Sequence, residues 1–148
     1  MRTIDALRRS GVGIGPDRTV REAAELMEHT GVGSLAVVEG AKLVGIVTDR
    51  DLVRRALARG LPIDARVDAV MSSPAITIDA DADLHEAFSA FATHGVRRLA
   101  VVRGGQFSGM ITVDDLLVDL ASDLVDLSRP IDAEIHHSHR DGASITTV

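Results

Sequence analysis

Along residues 12–60 the apolar positions alternate between the period of a strand and the period of a helix, and each change of period predicts an element. Val12-Gly13-Ile14 alternates as a short strand and leads into a turn at Pro16-Asp17. From Thr19 the spacing becomes helical, with Ala23, Leu26 and Met27 on one stripe and Ala24 at its edge. Thr19 with Glu22 three residues on makes a capping box: the hydroxyl accepts an N–H of the first turn, and the carboxylate accepts the N–H of the cap itself. Gly31 supplies the left-handed residue that ends such a helix. Residues 34–38 form an apolar run of strand length, Glu39-Gly40 reads as a hairpin turn, and residues 42–47 return as a second strand. The Thr48-Asp49 junction then opens a helix that carries Leu52, Val53, Ala56 and Leu57 and stops at Gly60.

The whole pattern is written twice. At a constant offset of 64, Val12 and Ile14 match Ile76 and Ile78, Glu22-Ala23 matches Glu86-Ala87, and Leu35-Ala36-Val37-Val38 matches Leu99-Ala100-Val101-Val102. Over residues 19–52, 13 of 34 positions are identical without a gap, far more than unrelated segments share, so the chain contains a duplication. The second copy builds the same devices from other residues. Met71-Ser72-Ser73-Pro74 leads into Ala75-Ile76-Thr77-Ile78, Asp83 takes the capping place with Glu86 as its partner, and Leu84, Ala87, Phe88 and Phe91 form the stripe that Gly95 closes. Strands over 98–102 and 106–111 follow, then a helix over 114–127 that is longer than its counterpart. Each copy thus predicts β-α-β-β-α, with a first repeat over 1–60, a linker over 61–66, a second repeat over 67–127 and a flexible tail over 128–148.

A unit this small covers only one face of its sheet with its own helices. The sister unit is the natural cover for the other face, through a pseudo-twofold axis. The expected fold is α+β, with two small sheets packed together, helices outside, and two clefts each bordered by one strand-to-helix corner.

Those corners carry the candidate chemistry. Gly45-Ile46-Val47-Thr48-Asp49-Arg50-Asp51-Leu52 runs from strand into helix, and Gly109-Met110-Ile111-Thr112-Val113-Asp114-Asp115-Leu116 repeats its Gly, Thr, Asp and Leu in the same places. A helix start offers free N–H groups and the positive end of the dipole, which suits phosphate. A nearby Asp can accept hydrogen bonds from a ribose diol. Helix capping explains one such junction, but not why the whole pattern stands twice.

Composition narrows the function classes. With 148 residues and 45% apolar content the chain can bury a real core. Without Cys there is no disulfide, thiolate nucleophile or Cys-based zinc site. A net charge of −6 argues against broad nucleic-acid binding, and three Phe as the only aromatics offer no stacking platform. No apolar run approaches the roughly 20 residues that span a bilayer, and Met1-Arg2-Thr3-Ile4-Asp5 does not begin a signal peptide. A soluble, cytoplasmic protein without direct nucleic-acid or membrane contact is expected. No nucleophile–base–orienter set emerges, so no catalytic residue and no cofactor are expected. Asp79, Asp81 and Asp83 are spaced like calcium ligands but lack the required Gly and Glu, and read as a turn with a helix cap. Gly11-x-Gly13-x-Gly15 reads as a permissive turn, and His136, His137 and His139 as a solvated cluster rather than a metal site.

Together these segments resemble the cystathionine-β-synthase (CBS) domain family, as a tandem pair (a Bateman module) with no catalytic domain attached. The resemblance covers about residues 4–127. It rests on Val70-Met71-Ser72-Ser73-Pro74 before a strand, on Gly95-Val96-Arg97-Arg98-Leu99-Ala100-Val101-Val102, and on both corners. It implies an adenosine-containing ligand between the repeats (AMP, ADP, ATP or S-adenosylmethionine). The Thr would contact phosphate or ribose, the Asp would bind the ribose hydroxyls, and apolar residues of a first strand would enclose the adenine. In the family each site commonly joins one repeat's corner to the other repeat's first strand. Carried onto this chain, Thr48 and Asp51, flanked by Asp49 and Arg50, would work with Ile76, Thr77 and Ile78. Thr112 and Asp115, flanked by Met110 and Asp114, would work with Val12, Gly13 and Ile14. Arg97 and Arg98 stand where the family often places His or Arg against phosphate; the first repeat has Gly33 and Ser34 there, which leaves Arg50 as a substitute cation. With Gly13 in place of the Thr77 equivalent and a second acid at Asp114, the two sites are expected to differ in affinity. The resemblance further implies a homodimer formed through helix faces and a regulatory role toward an unidentified protein target. The residues leave two alternatives open: a scaffold with vestigial clefts, and a metal-responsive module using the tail histidines.

Overall fold

The structure, a computed structural model, describes residues 3–128. The tail expected over 128–148, with its His136, His137 and His139, lies outside the described residues apart from Ser128, which ends the last helix.

A one-turn helix, α1 (Ile4–Leu7), opens the first repeat. There β1 (Gly13–Ile14) lies parallel to β2 (Ser34–Glu39), and α2 (Val20–Thr30) makes the crossover that a parallel pair requires. β2 turns back at Gly40, with φ 64°, into the antiparallel β3 (Lys42–Thr48). The second repeat reproduces this with β4 (Thr77–Asp79), α4 (Leu84–His94), β5 (Arg98–Arg103), β6 (Gln106–Thr112) and α5 (Val113–Ser128). The register shifts at Val37/Val38 in one hairpin and at Val101/Val102 in the other, so even the irregularity is duplicated.

Both predicted capping boxes form. The Thr19 hydroxyl accepts from Glu22 N at 3.0 Å, and Glu22 Oε1 accepts from Thr19 N at 3.0 Å. Asp83 and Glu86 do the same for α4. Val20, Ala23 and Met27 are buried along α2, whereas Ala24, one position round the helix, is exposed and drops out of the stripe.

The strands run in the order β1-β2-β3-β6-β5-β4. Three strands belong to each repeat, and hydrogen bonding continues between the halves at a single pair, Lys42 with Gln106. These residues are counterparts at the offset of 64, so the pseudo-twofold axis passes between them. Two apolar cores result, one per repeat.

Packing crosses the repeats in a way periodicity does not reveal. Ile4 of α1 is fully buried in the second core, tied there by Ile4 N to the Ala82 carbonyl at 2.9 Å. Val67 and Val70, around a single 3-10 turn (Val67–Ala69), are fully buried in the first core, with Val67 N donating to the Arg18 carbonyl at 2.7 Å. Each repeat's core is therefore completed by the segment that leads into the other.

The helix after Thr48 departs from expectation. Asp49–Asp51 is one α-turn, α3, which continues as a π-helix over Leu52–Leu57. The Ala58 and Leu61 amides each donate five residues back, to Val53 and Ala56. Leu52 and Ala56 pack on the core, while Val53 and Leu57 are 55% and 78% exposed. On α5, Leu117, Leu120, Leu124 and Leu127 are likewise exposed.

Candidate functional site

Each corner is built as a capping box. Thr48 Oγ1 accepts from Asp51 N at 3.1 Å, and Asp51 Oδ2 accepts from Thr48 N at 2.9 Å. In the second corner Thr112 Oγ1 accepts from Asp115 N at 3.2 Å, and Asp115 Oδ2 accepts from Thr112 N at 2.9 Å. One carboxylate oxygen of each Asp is thus committed to the backbone, while Oδ1 points elsewhere. The free amides expected at the first corner are engaged: Asp49 N donates to the Gly33 carbonyl at 2.9 Å and Arg50 N to Asp49 Oδ1 at 2.8 Å. Phosphate at this corner would be met by side chains more than by main-chain N–H groups.

The corner strands are crossed by the chain entering the opposite repeat. Ser72, on its way into β4, exchanges hydrogen bonds with Ile46 of β3, N to O at 2.8 and 3.0 Å. Arg9, on its way to β1, does the same with Met110 of β6, at 2.8 and 2.9 Å. This explains the glycine that opens each corner. A Cβ on Gly45 would lie 2.6 Å from Met71 Sδ and 2.8 Å from the Ser72 carbonyl oxygen, and one on Gly109 would collide with the Arg9 carbonyl oxygen. Gly11 similarly lies under the Phe107 ring. None of Gly11, Gly13 and Gly15 has a positive φ, so close approach, not the permissive turn expected from their spacing, accounts for Gly11.

The expected site residues fall into distinct environments. Thr48, Asp51 and Thr112 are partly buried and Asp115 is buried. Ile14 and Ile78, expected to enclose a ring, are 7% and 8% exposed and belong to their own repeats' cores. Strand alternation turns them inward and leaves Gly13 and Thr77 exposed, with Val12 and Ile76 partly buried. Met110 is partly buried beneath Gly11. The acid at Asp114 is not isolated, because Arg97 Nη2 lies 3.3 Å from its Oδ1 in an exposed pair. Arg98 reaches across to the first repeat: a Cβ on Gly33 would lie 3.5 Å from Arg98 Nη2 and 3.1 Å from Asp49 Oδ2. The first corner therefore borrows a cation from the second repeat. Among the described residues neither the Arg98 nor the Arg50 side chain forms a hydrogen bond or ion pair.

The corners differ at Asp115. Arg9 donates from Nε to Asp115 Oδ1 at 2.8 Å, and its Nη2 is also 2.8 Å away. At the first corner the nearest cation to Asp51 Oδ1 is Arg55, at 3.8 Å on the same helix. Sequence reasoning missed Arg9, since a lone Arg ahead of a short strand carries no periodic signal and its partner is 106 positions away.

The model of the CBS domain matches residues 5–58 and again 67–122, the two halves that the duplication defines. The chain belongs to the CBS domain family. It is 35% identical over 109 residues to the CBS domain-containing protein YhcV of Bacillus subtilis, covering 74% of this chain and 78% of that one. It is 30% identical over 105 residues to hypoxic response protein 1 of Mycobacterium tuberculosis, covering 70% and 73%. Among solved structures, a CBS domain protein of Pyrobaculum aerophilum complexed with AMP superimposes with a TM-score of 0.72 at 26% identity, over 82% of this chain and 99% of that one. Tandem CBS domains are regulatory modules, and this chain carries the pair.

Proposed function

We propose that the protein is a ligand-sensing module that binds an adenosine-containing nucleotide (AMP, ADP, ATP or S-adenosylmethionine) between its repeats and transmits occupancy to a protein target. The observation that carries this reading is the cross-repeat construction of the corners: a Thr/Asp capping box faces the lead-in strand of the other repeat, twice. The AMP complex of the related Pyrobaculum protein supports the ligand class. A molecule held by Asp51 and by residues near Ser72 would touch both repeats at once. It would favour whichever relative position of the repeats lets it make both sets of contacts, and by no more than its differential affinity. The reading includes no chemical step, and places the protein in the cytoplasm. No helix among the described residues is long and apolar enough to cross a membrane.

The same proposal includes a homodimer. Leu117, Leu120, Leu124 and Leu127 on α5, with Val53 and Leu57 on the helix after the first corner, expose an apolar surface suited to a second copy. The test of the ligand reading is equilibrium dialysis against each of the four compounds. Saturable binding that Asp51→Ala abolishes is expected; no uptake of any of them would leave the scaffold alternative in its place.

A further inference from the structure

We infer that Arg9 occupies the second corner as an internal stand-in for a ligand, so that the chain presents one open nucleotide site, at Asp51, and one gated site, at Asp115. This rests on the nucleotide reading above and assigns to each cleft a different state.

The argument follows from pseudo-symmetry. Ser72 and Arg9 occupy equivalent places, each exchanging two backbone hydrogen bonds with the strand of the opposite corner. Ser72 offers that corner only a short hydroxyl, whereas Arg9 delivers a guanidinium. It bonds the one oxygen of Asp115 that the capping box leaves over, while Oδ2 is held by Thr112 N. A ribose diol would seek that same Oδ1. The surrounding charges reinforce the difference. The cation near Asp51 is Arg55 of its own helix, whereas the one on Asp115, Arg9, arrives from the other repeat. A neutral diol displacing Arg9 would leave the buried Asp115 carboxylate without that counter-charge.

The gate can open. The Arg9 side chain is 44% exposed against 7% for Asp115, so the guanidinium can swing into solvent without unfolding anything. Arg9 also stands two residues after the end of α1, whose Ile4 anchors in the second core. The gate is therefore attached to the contact between the repeats, where a change in their relative position would act on it.

The experiment is isothermal titration calorimetry with AMP on wild type, Asp51→Ala, Arg9→Ser, Arg9→Gln and the double variant Arg9→Ser/Asp115→Ala. Arg9→Ser installs the residue of the equivalent place, and Arg9→Gln keeps the length of the side chain should the shorter one perturb folding. Wild type is expected to bind about one equivalent per chain, lost in Asp51→Ala. Either Arg9 variant is expected to bind about two, the added one disappearing in the double variant. One equivalent in wild type and in both Arg9 variants would overturn the gate while leaving the nucleotide reading intact, as would two in wild type. Binding that appears only in the Arg9 variants would overturn the assignment of Asp51 as the open site. No binding in any variant would overturn the nucleotide reading, and the gate with it.

Discussion

Gly45 lies beneath the carbonyl oxygen of Ser72, so close that a Cβ on the glycine would sit 2.8 Å from it. The glycine that begins each Gly-x-x-Thr-x-x-Asp corner is thereby explained by the other repeat: it leaves room for the strand that crosses the corner.

This contact makes the two glycines sensitive to the smallest substitution. At Gly109 the obstacle is the backbone of Arg9, held by two hydrogen bonds to Met110, while at Gly45 one obstacle is the yielding end of Met71. Gly109→Ala is expected to cost about 1–3 kcal/mol, and Gly45→Ala no more than that. Urea unfolding followed by circular dichroism measures both. A Gly109→Ala protein as stable as wild type would mean that the crossing strand is not packed as described.

The capping boxes predict an acid limit. The N–H of Thr19 holds the Glu22 carboxyl below its ordinary range, helped by the Thr19 hydroxyl and by Arg18. Hydrogen bonds from Arg8 and then Arg103 do the same for Asp5, and one from Arg66 does so for Asp68. A carboxyl whose pKa is lowered on folding adds stability that is fully present above its unfolded value and is lost as the pH falls through the folded one. The urea midpoint should therefore hold from neutrality down to about pH 4.5, the ordinary glutamate value, and decline below it. In Glu22→Gln, which keeps an acceptor but cannot titrate, the decline should be shallower. Identical slopes in the two proteins would contradict this.

The exposed leucines of α5 predict assembly. Leu124 is 59% exposed and lies one heptad from Leu117, at 52%. Light scattering coupled to gel filtration is expected to give twice the chain mass for wild type and the chain mass for Leu124→Asp, with an unchanged far-ultraviolet spectrum. A monomeric wild type would remove the dimer from the proposal.

What could be read from the sequence depended on how far apart the interacting residues stand. Thr19 with Glu22, Asp83 with Glu86, and the hairpins closed at Gly40 and Gly104 are set by neighbours within one turn, and the chain writes those rules directly. The duplication exposed the pseudo-twofold axis, and the pairing of Lys42 with Gln106 lies on it. The exchange of Ile4 and Val67 between the two cores was not legible, because both residues are simply apolar whichever core receives them. The inward turn of Ile14 and Ile78 was hidden because the alternation of so short a strand does not say whether its apolar side faces its own core or a cleft. Arg9 on Asp115 was hidden for a related reason: an ion pair between residues in different repeats leaves no local pattern.

The central claim is most directly tested by thermal unfolding, followed by circular dichroism since the chain has no Trp or Tyr, with AMP, ADP, ATP or S-adenosylmethionine present. A ligand at about 100 times its Kd adds roughly 2.7 kcal/mol, a midpoint shift of about 5–10 °C for a domain of this size. Wild type should show that shift with at least one of the four. Asp51→Ala should lose it, from a ligand-free midpoint already lowered because the capping box has lost its carboxylate. No shift with any of the four, or a full shift retained in Asp51→Ala, would contradict the account.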